Sequence, residues 1–184
     1  MAAIMNFLGA MTFTGVAKTI TKDIVDPFSL PNGTLVILAA LIAAITWNLI
    51  TWYFGIPSSS SHALIGSVAG AAIASADFGV LNYHGFINII EALIFSPIIA
   101  FAVGYLVYSL FKVIFKNYNL AKTNRNFRYF QILTAAIQSY THGTNDAQKT
   151  MGIITMALMT GNYISGGDVP FWVQAACATA MGLG

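Results

Sequence analysis

From Pro27 to Ala76 the chain runs for fifty residues without one Asp, Glu, Lys or Arg. A domain surrounded by water does not leave so long a stretch without solvating charge, since soluble domains average about 25% charged residues. The full chain of 184 residues carries 8% charged against 57% hydrophobic residues, with a net charge of +2. These values exclude a disordered chain, a nucleic-acid binder working by bulk charge, and an ordinary water-soluble enzyme. The single cysteine, Cys177, excludes an internal disulfide framework and any Cys-rich metal site. The solvent of this chain is lipid, and its expected class is all-α and integral to the membrane.

A helix crosses the hydrocarbon core with about 20 apolar residues. Leu35 to Ile56 is the clearest span, and Ala92 to Phe111 is a second, expected to begin near Phe86. Ala2 to Ala17 and Phe171 to Gly184 are apolar but short. No positive charge precedes the first apolar run, so the N-terminus does not read as a signal peptide.

Lys112, Lys116, Lys122, Arg125 and Arg128 gather five of the eight positive charges in seventeen residues without an acid. The positive-inside rule makes residues 112–128 a basic cytoplasmic linker and puts loops 77–85 and 161–170, which lack Lys and Arg, outside. Lys18 and Lys22 place loop 18–34 inside, offset by Asp23 and Asp26. On that assignment residues 58–76 dip into the membrane and return. If they cross it fully, loop 18–34 lies outside.

Two polar islands interrupt the apolar background. In the first, Pro57 stops the preceding helix, and Ser58, Ser59, Ser60 and Ser61, with His62 behind them, are N-cap residues for a second helix. A half-helix ending at membrane depth survives where it lines a wet cavity, and its N-terminus is an anion site. The alternative is a proline kink whose serines bond back to the helix above. Gly66, Gly70 and Ala74 form a small-residue stripe suited to close packing, and Ser96-Pro97 reads as a plain kink.

The second island is Gln138 to Thr150. Gly143 is expected to break the helix, with Thr144 or Asn145 capping the next one. An ionisable group at membrane depth costs at least ~2.5 kcal/mol and usually has a function. Asn145 and Lys149, four apart, share a face, and Asp146 and Lys149, three apart, can pair. Thr144, Asn145 and Asp146 offer hard oxygen ligands to a small cation, while Lys149, His142 and Gln148 offer donors to an anion. The alternative is a self-satisfied Asp146–Lys149 pair at the membrane surface. The spacing does not suit zinc, because no second His lies nearby. Two interrupted segments with inward donors and acceptors match the secondary-transporter pattern.

At these residues the chain resembles the inorganic phosphate transporter (PiT, or PHO4) family. NRNFRYFQILTAAIQSYTHGTNDAQKTMGIITMAL is similar to the signature of the family's second half, and TWYFGIPSSSSHALIGSVAGAAIA to that of its first. MNFLGAMTFTGVAKTI and the Ser-Pro of span 86–111 also fit. The resemblance implies a multi-span transporter with broken or re-entrant helices, built from two inverted repeats and incomplete here. Residues 1–111 would be part of the first repeat and 129–184 the start of the second, with the linker between. The family's first Asn/Asp motif and second Ser/Thr-rich motif have no counterpart in this chain.

What the resemblance implies about function is cation-coupled symport of inorganic phosphate across the cell (plasma) membrane by a multi-pass protein. The substrate site would join Ser58 to Ser61 and His62 with Thr144, Asn145, Asp146, Gln148 and Lys149. If the coupling ion is sodium (Na+), its ligands would be Asn145, Asp146 and Ser60. Proton coupling through Asp146 or His142 is the other mode. No further cofactor is implied, and a homo-oligomer is a compatible assembly. Sulfate, another tetrahedral oxyanion, is the alternative substrate, and a non-transporting membrane fragment is a third reading. An intramembrane hydrolase does not fit, because no G-x-S-x-G elbow is present and adjacent Ser61 and His62 do not face each other on a helix.

Overall fold

The computed structural model describes residues 1–26, 28–118 and 120–184. The side chains of residues 21–23, 120–122, 125 and 126 lie outside the description, so nothing follows here for Lys22, Asp23, Lys122 or Arg125. Seven α-helices are present among the described residues: α1 (Ala2–Thr12), α2 (Gly15–Asp23), α3 (Gly33–Tyr53), α4 (Ser60–Ala76), α5 (Tyr83–Ile114), α6 (Leu120–Thr160) and α7 (Phe171–Leu183). A single 3-10 turn, Phe78–Val80, links α4 to α5. The fold is all-α, and α3 and α5 are long and apolar enough to cross a membrane.

The apolar run of α3 ends where the sequence predicts. Gly55 turns the chain at φ +64, and Pro57 follows in an extended stretch. Ser59 then caps α4, its hydroxyl accepting the His62 N–H at 3.4 Å. Helix α4 returns along α3 to its starting level, since the Ser75 hydroxyl donates to the Pro31 carbonyl at 3.2 Å. Its seventeen residues cover about 25 Å.

That return corrects the assignment of loop 18–34. Val25 bridges Leu81, and the Asn82 N–H donates to the Ile24 carbonyl at 3.1 Å. Gly33 packs on Thr160 at the end of α6, and Lys18 pairs with Asp168 at 2.7 Å. Residues 24–26, 28–34, 77–82 and 160–168 therefore meet at one end of the helix bundle. Loop 18–34 thus lies at the same end of the bundle as the two loops that charge places outside, and α4 runs back along α3 for the length of that hairpin. Lys18 pairs there with Asp168, from a distant part of the chain.

Helix α6 corrects a second expectation. It is one α-helix of 41 residues and does not break at Gly143. A Cβ at Gly143 would overlap the backbone of Asn6, and one at Gly9 would overlap the Tyr140 carbonyl. Gly143 is thus used for backbone contact between α1 and α6. The break lies instead in the first apolar run, where Phe13 is extended (φ −133, ψ 149) between α1 and α2.

Two apolar clusters flank α6. Ile20 of α2, Ile24 and Val25 just after it, and Ile37, Ala40, Val68, Ala72, Ile153 and Met156 join α2, α3, α4 and α6. Ala10, Ala17, Met151, Val173 and Ala178 join α1, α2, α6 and α7. Helix α5 runs unbroken through Pro97, buries only Gly85, and exposes apolar side chains along its length, as a lipid-facing helix would. Its far end meets α6 through Phe111, Phe115 and Phe127.

The glycines separate cleanly. Gly66 and Gly70 face open space, so within this chain the small-residue stripe packs against nothing at those two positions. Gly143→Ala should cost about 1–3 kcal/mol by overpacking. Gly66→Ala should be neutral or stabilising by up to ~1 kcal/mol through helix propensity. Thermal midpoints of the detergent-solubilised variants, followed by circular dichroism, check both.

Candidate functional site

One face of α6 carries His142, Asp146, Lys149 and Thr150, at the spacing that stacks side chains on a helix. These four line an open groove of ≈ 400 Å³ whose other walls include Asn48 of α3 and Ser60 of α4. Both carboxylate oxygens of Asp146 are engaged. Oδ2 lies 3.1 Å from His142 Nδ1, and Oδ1 accepts from the Lys149 ammonium. The Lys149 side chain is 22% exposed, and it also lines a second, smaller cavity of ≈ 150 Å³ beside Ser61.

The first turn of α4 reaches the same place. Its Ser60 is a groove wall, and a helix N-terminus presents N–H groups and the positive end of its dipole. The groove therefore combines a carboxylate, an ammonium, an imidazole, an amide, hydroxyls and a helix N-terminus. Hard-cation oxygens are available from Asp146, Ser60 and Asn48, and donors to an anion from Lys149, Ser60 and the α4 backbone. Among the described residues no three His, Cys, Asp or Glu side chains cluster as a metal centre.

The remaining expected residues go elsewhere. The Ser58 hydroxyl is 3.0 Å from that of Thr51, at the end of α3. Ser59 is the α4 cap. His62 lines a different groove with Trp47, Gly66 and Gly70. Thr144 donates to the Tyr140 carbonyl at 2.9 Å and to that of Gly9 at 3.2 Å, which fastens α1 to α6. Asn145 is exposed and outside the groove that holds Asp146 and Lys149.

Gln148 is 1% exposed and faces the break in the first apolar run. Its Oε1 accepts from the N–H of Val16 at 2.7 Å and of Ala17 at 3.3 Å, capping α2, while Nε2 donates to the Thr144 carbonyl at 2.6 Å. On the other side of the break, Gln174 Nε2 donates to the Met11 carbonyl at 2.9 Å. Sequence reasoning named Gln148 only as a donor to the anion and missed its capping role, and missed Gln174 altogether, because their partners are backbone groups. It also missed Asn48, although a lone amide inside the apolar run of α3 was a visible signal. Gln148→Ala should leave two N–H groups without their acceptor and cost about 1–3 kcal/mol. The loss should appear as a lower unfolding midpoint, and Gln148→Met should not restore it.

Comparison with known proteins puts this geometry in context. The sequence matches the family described as "Phosphate transporter family" over residues 1–124 and 116–184. A Bacillus subtilis protein named "Probable low-affinity inorganic phosphate transporter" is 74% identical across 100% of this chain and 56% of its own length. A Rhizobium meliloti protein of the same name is 42% identical across 100% of this chain and 55% of its own. The chain thus spans about half the length of these curated relatives. A solved structure titled "The sodium-dependent phosphate transporter" shares the fold at a TM-score of 0.85, with 20% identity, over 99% of this chain and 64% of that one. With the family matched over both halves of the sequence, the chain belongs to the phosphate transporter family, a family of membrane transporters and not of enzymes.

Proposed function

We propose that this chain forms the substrate-binding part of a carrier that moves inorganic phosphate across the cell membrane together with a cation, by alternating access. The observation that carries the reading is the groove itself, where Asp146 and Lys149 of α6 face Ser60 at the N-terminus of α4. A tetrahedral oxyanion placed there meets an ammonium, a hydroxyl and the positive end of a helix dipole. A cation entering with it meets the Asp146 carboxylate and the oxygens of Ser60 and Asn48. The names of the relatives and of the structural neighbour agree with phosphate as cargo and with sodium as one coupling ion.

Phosphate is favoured over sulfate by the acceptor beside the anion. At neutral pH inorganic phosphate keeps a proton to donate and sulfate keeps none. A site that offers Asp146 as acceptor leaves that carboxylate without its partner when sulfate binds, and such mismatches discriminate strongly. Residues 1–111 then serve as part of one repeat, 112–128 as a cytoplasmic linker, and 129–184 as the start of a second repeat.

Uptake of radiolabelled phosphate into proteoliposomes tests the reading. Asp146→Asn should lower uptake about 100-fold, equivalent to ~2.7 kcal/mol of transition-state stabilisation, and remove its dependence on the cation gradient. Undiminished uptake with unchanged cation dependence overturns it. A ~10-fold excess of sulfate should leave phosphate uptake nearly unchanged if Asp146 reads the substrate proton.

A further inference from the structure

Each carboxylate oxygen of Asp146 already has a partner. Oδ1 is taken by Lys149 and Oδ2 faces His142, so an incoming cation finds its principal ligand already paired with a cation of the protein. Lys149 in turn has a second place to go. Its side chain forms part of the wall of the groove and of the smaller, mostly apolar cavity where Ser61 of α4 and Thr19 of α2 are the other polar residues. We infer that Lys149 is a tethered counter-cation, which occupies Asp146 in the empty carrier and exchanges places with the coupling cation when the oxyanion binds. The inference rests on the reading of this groove as the cation and oxyanion site.

Charge decides the direction of the exchange. With no anion present, moving the ammonium toward α4 brings it against the positive end of the helix dipole, so it stays on Asp146. A bound oxyanion at the α4 N-terminus reverses that sign and draws the ammonium over. Asp146 is then left with His142 alone, its Oδ1 without a partner, and a small cation takes the place of the ammonium. Neither ligand binds well alone, and each assists the other. The coupling is reciprocal by thermodynamic necessity, so one flexible side chain links the two cargoes. On α4 the first turn holds serines and His62, and His62 faces the other groove, so no acid there competes for the ammonium.

Equilibrium binding of radioactive Na+ to the purified full chain in lipid nanodiscs tests the exchange directly, with inorganic phosphate present or absent. Lys149→Gln should bind Na+ without phosphate about tenfold or more tighter than wild type, the usual effect of removing a like charge at contact range. Wild type should gain Na+ affinity when phosphate is added, and Lys149→Gln should lose most of that gain. In an Asp146→Asn background the effect of Lys149→Gln on Na+ should vanish. Lys149→Arg keeps the charge and the pairing, and should bind Na+ no better than wild type. It serves as the readout if the glutamine variant does not fold.

Equal or weaker Na+ binding by Lys149→Gln overturns the inference. So do tighter binding by Lys149→Arg and an absence of Na+ binding in both wild type and Lys149→Gln. If the Na+ pattern appears but the wild-type protein takes up no phosphate, the exchange stands and the transport reading falls.

Discussion

A helix that stops inside hydrocarbon frees N–H and carbonyl groups that no water can satisfy, and protein has to meet them. The rest of this structure depends on how that demand is met between α1 and α2. Gln148 reaches across from α6 to the first N–H groups of α2, and Gln174 reaches from α7 to the last carbonyls of α1. Both side chains arrive only because α1 lies against α6 with backbone touching backbone at Gly9 and Gly143. Any larger residue at either crossing point would hold the helices apart. The same contact keeps α6 in register, so His142, Asp146 and Lys149 face α3 and α4.

Helix α6 therefore has two working faces. One is spent on structure, with Thr144, Gln148 and Met151 turned to α1, α2 and α7. The other holds the charges in the groove. An unbroken helix suits this division, because a break at Gly143 would loosen the spacing that stacks His142, Asp146 and Lys149 on one side. Discontinuity is supplied by neighbours instead: by α4, which begins at the groove, and by the α1–α2 junction behind it. The polar chemistry stays local, and the apolar clusters on either side carry the packing.

Much of the periphery needs no explanation beyond the solvent. Helix α5 shows apolar side chains over its whole circumference and leans on the others only near its ends. In water such a helix would be an aggregation hazard, and in a bilayer it is an ordinary lipid-facing span. The open groove lined by Gly66 and Gly70 shares that setting.

Composition and local residue chemistry were enough to establish the membrane setting, a span within three residues of α3 at either end, the Pro57 interruption and a serine cap somewhere in Ser58 to Ser61. The run of Ser58 to Ser61 and the cluster at His142 to Lys149 were legible as polar groups too costly to be accidental in lipid. Which of those groups share a groove was not legible. Ser60, Asp146 and Lys149 meet, whereas His62, Thr144 and Gln148 turn to other neighbours, and that choice depends on helix rotation and on contacts more than a hundred residues apart. Gly143 shows the reason most plainly. A glycine in a helical run permits either a break or a close crossing, and only the presence of Asn6 against it decides between them.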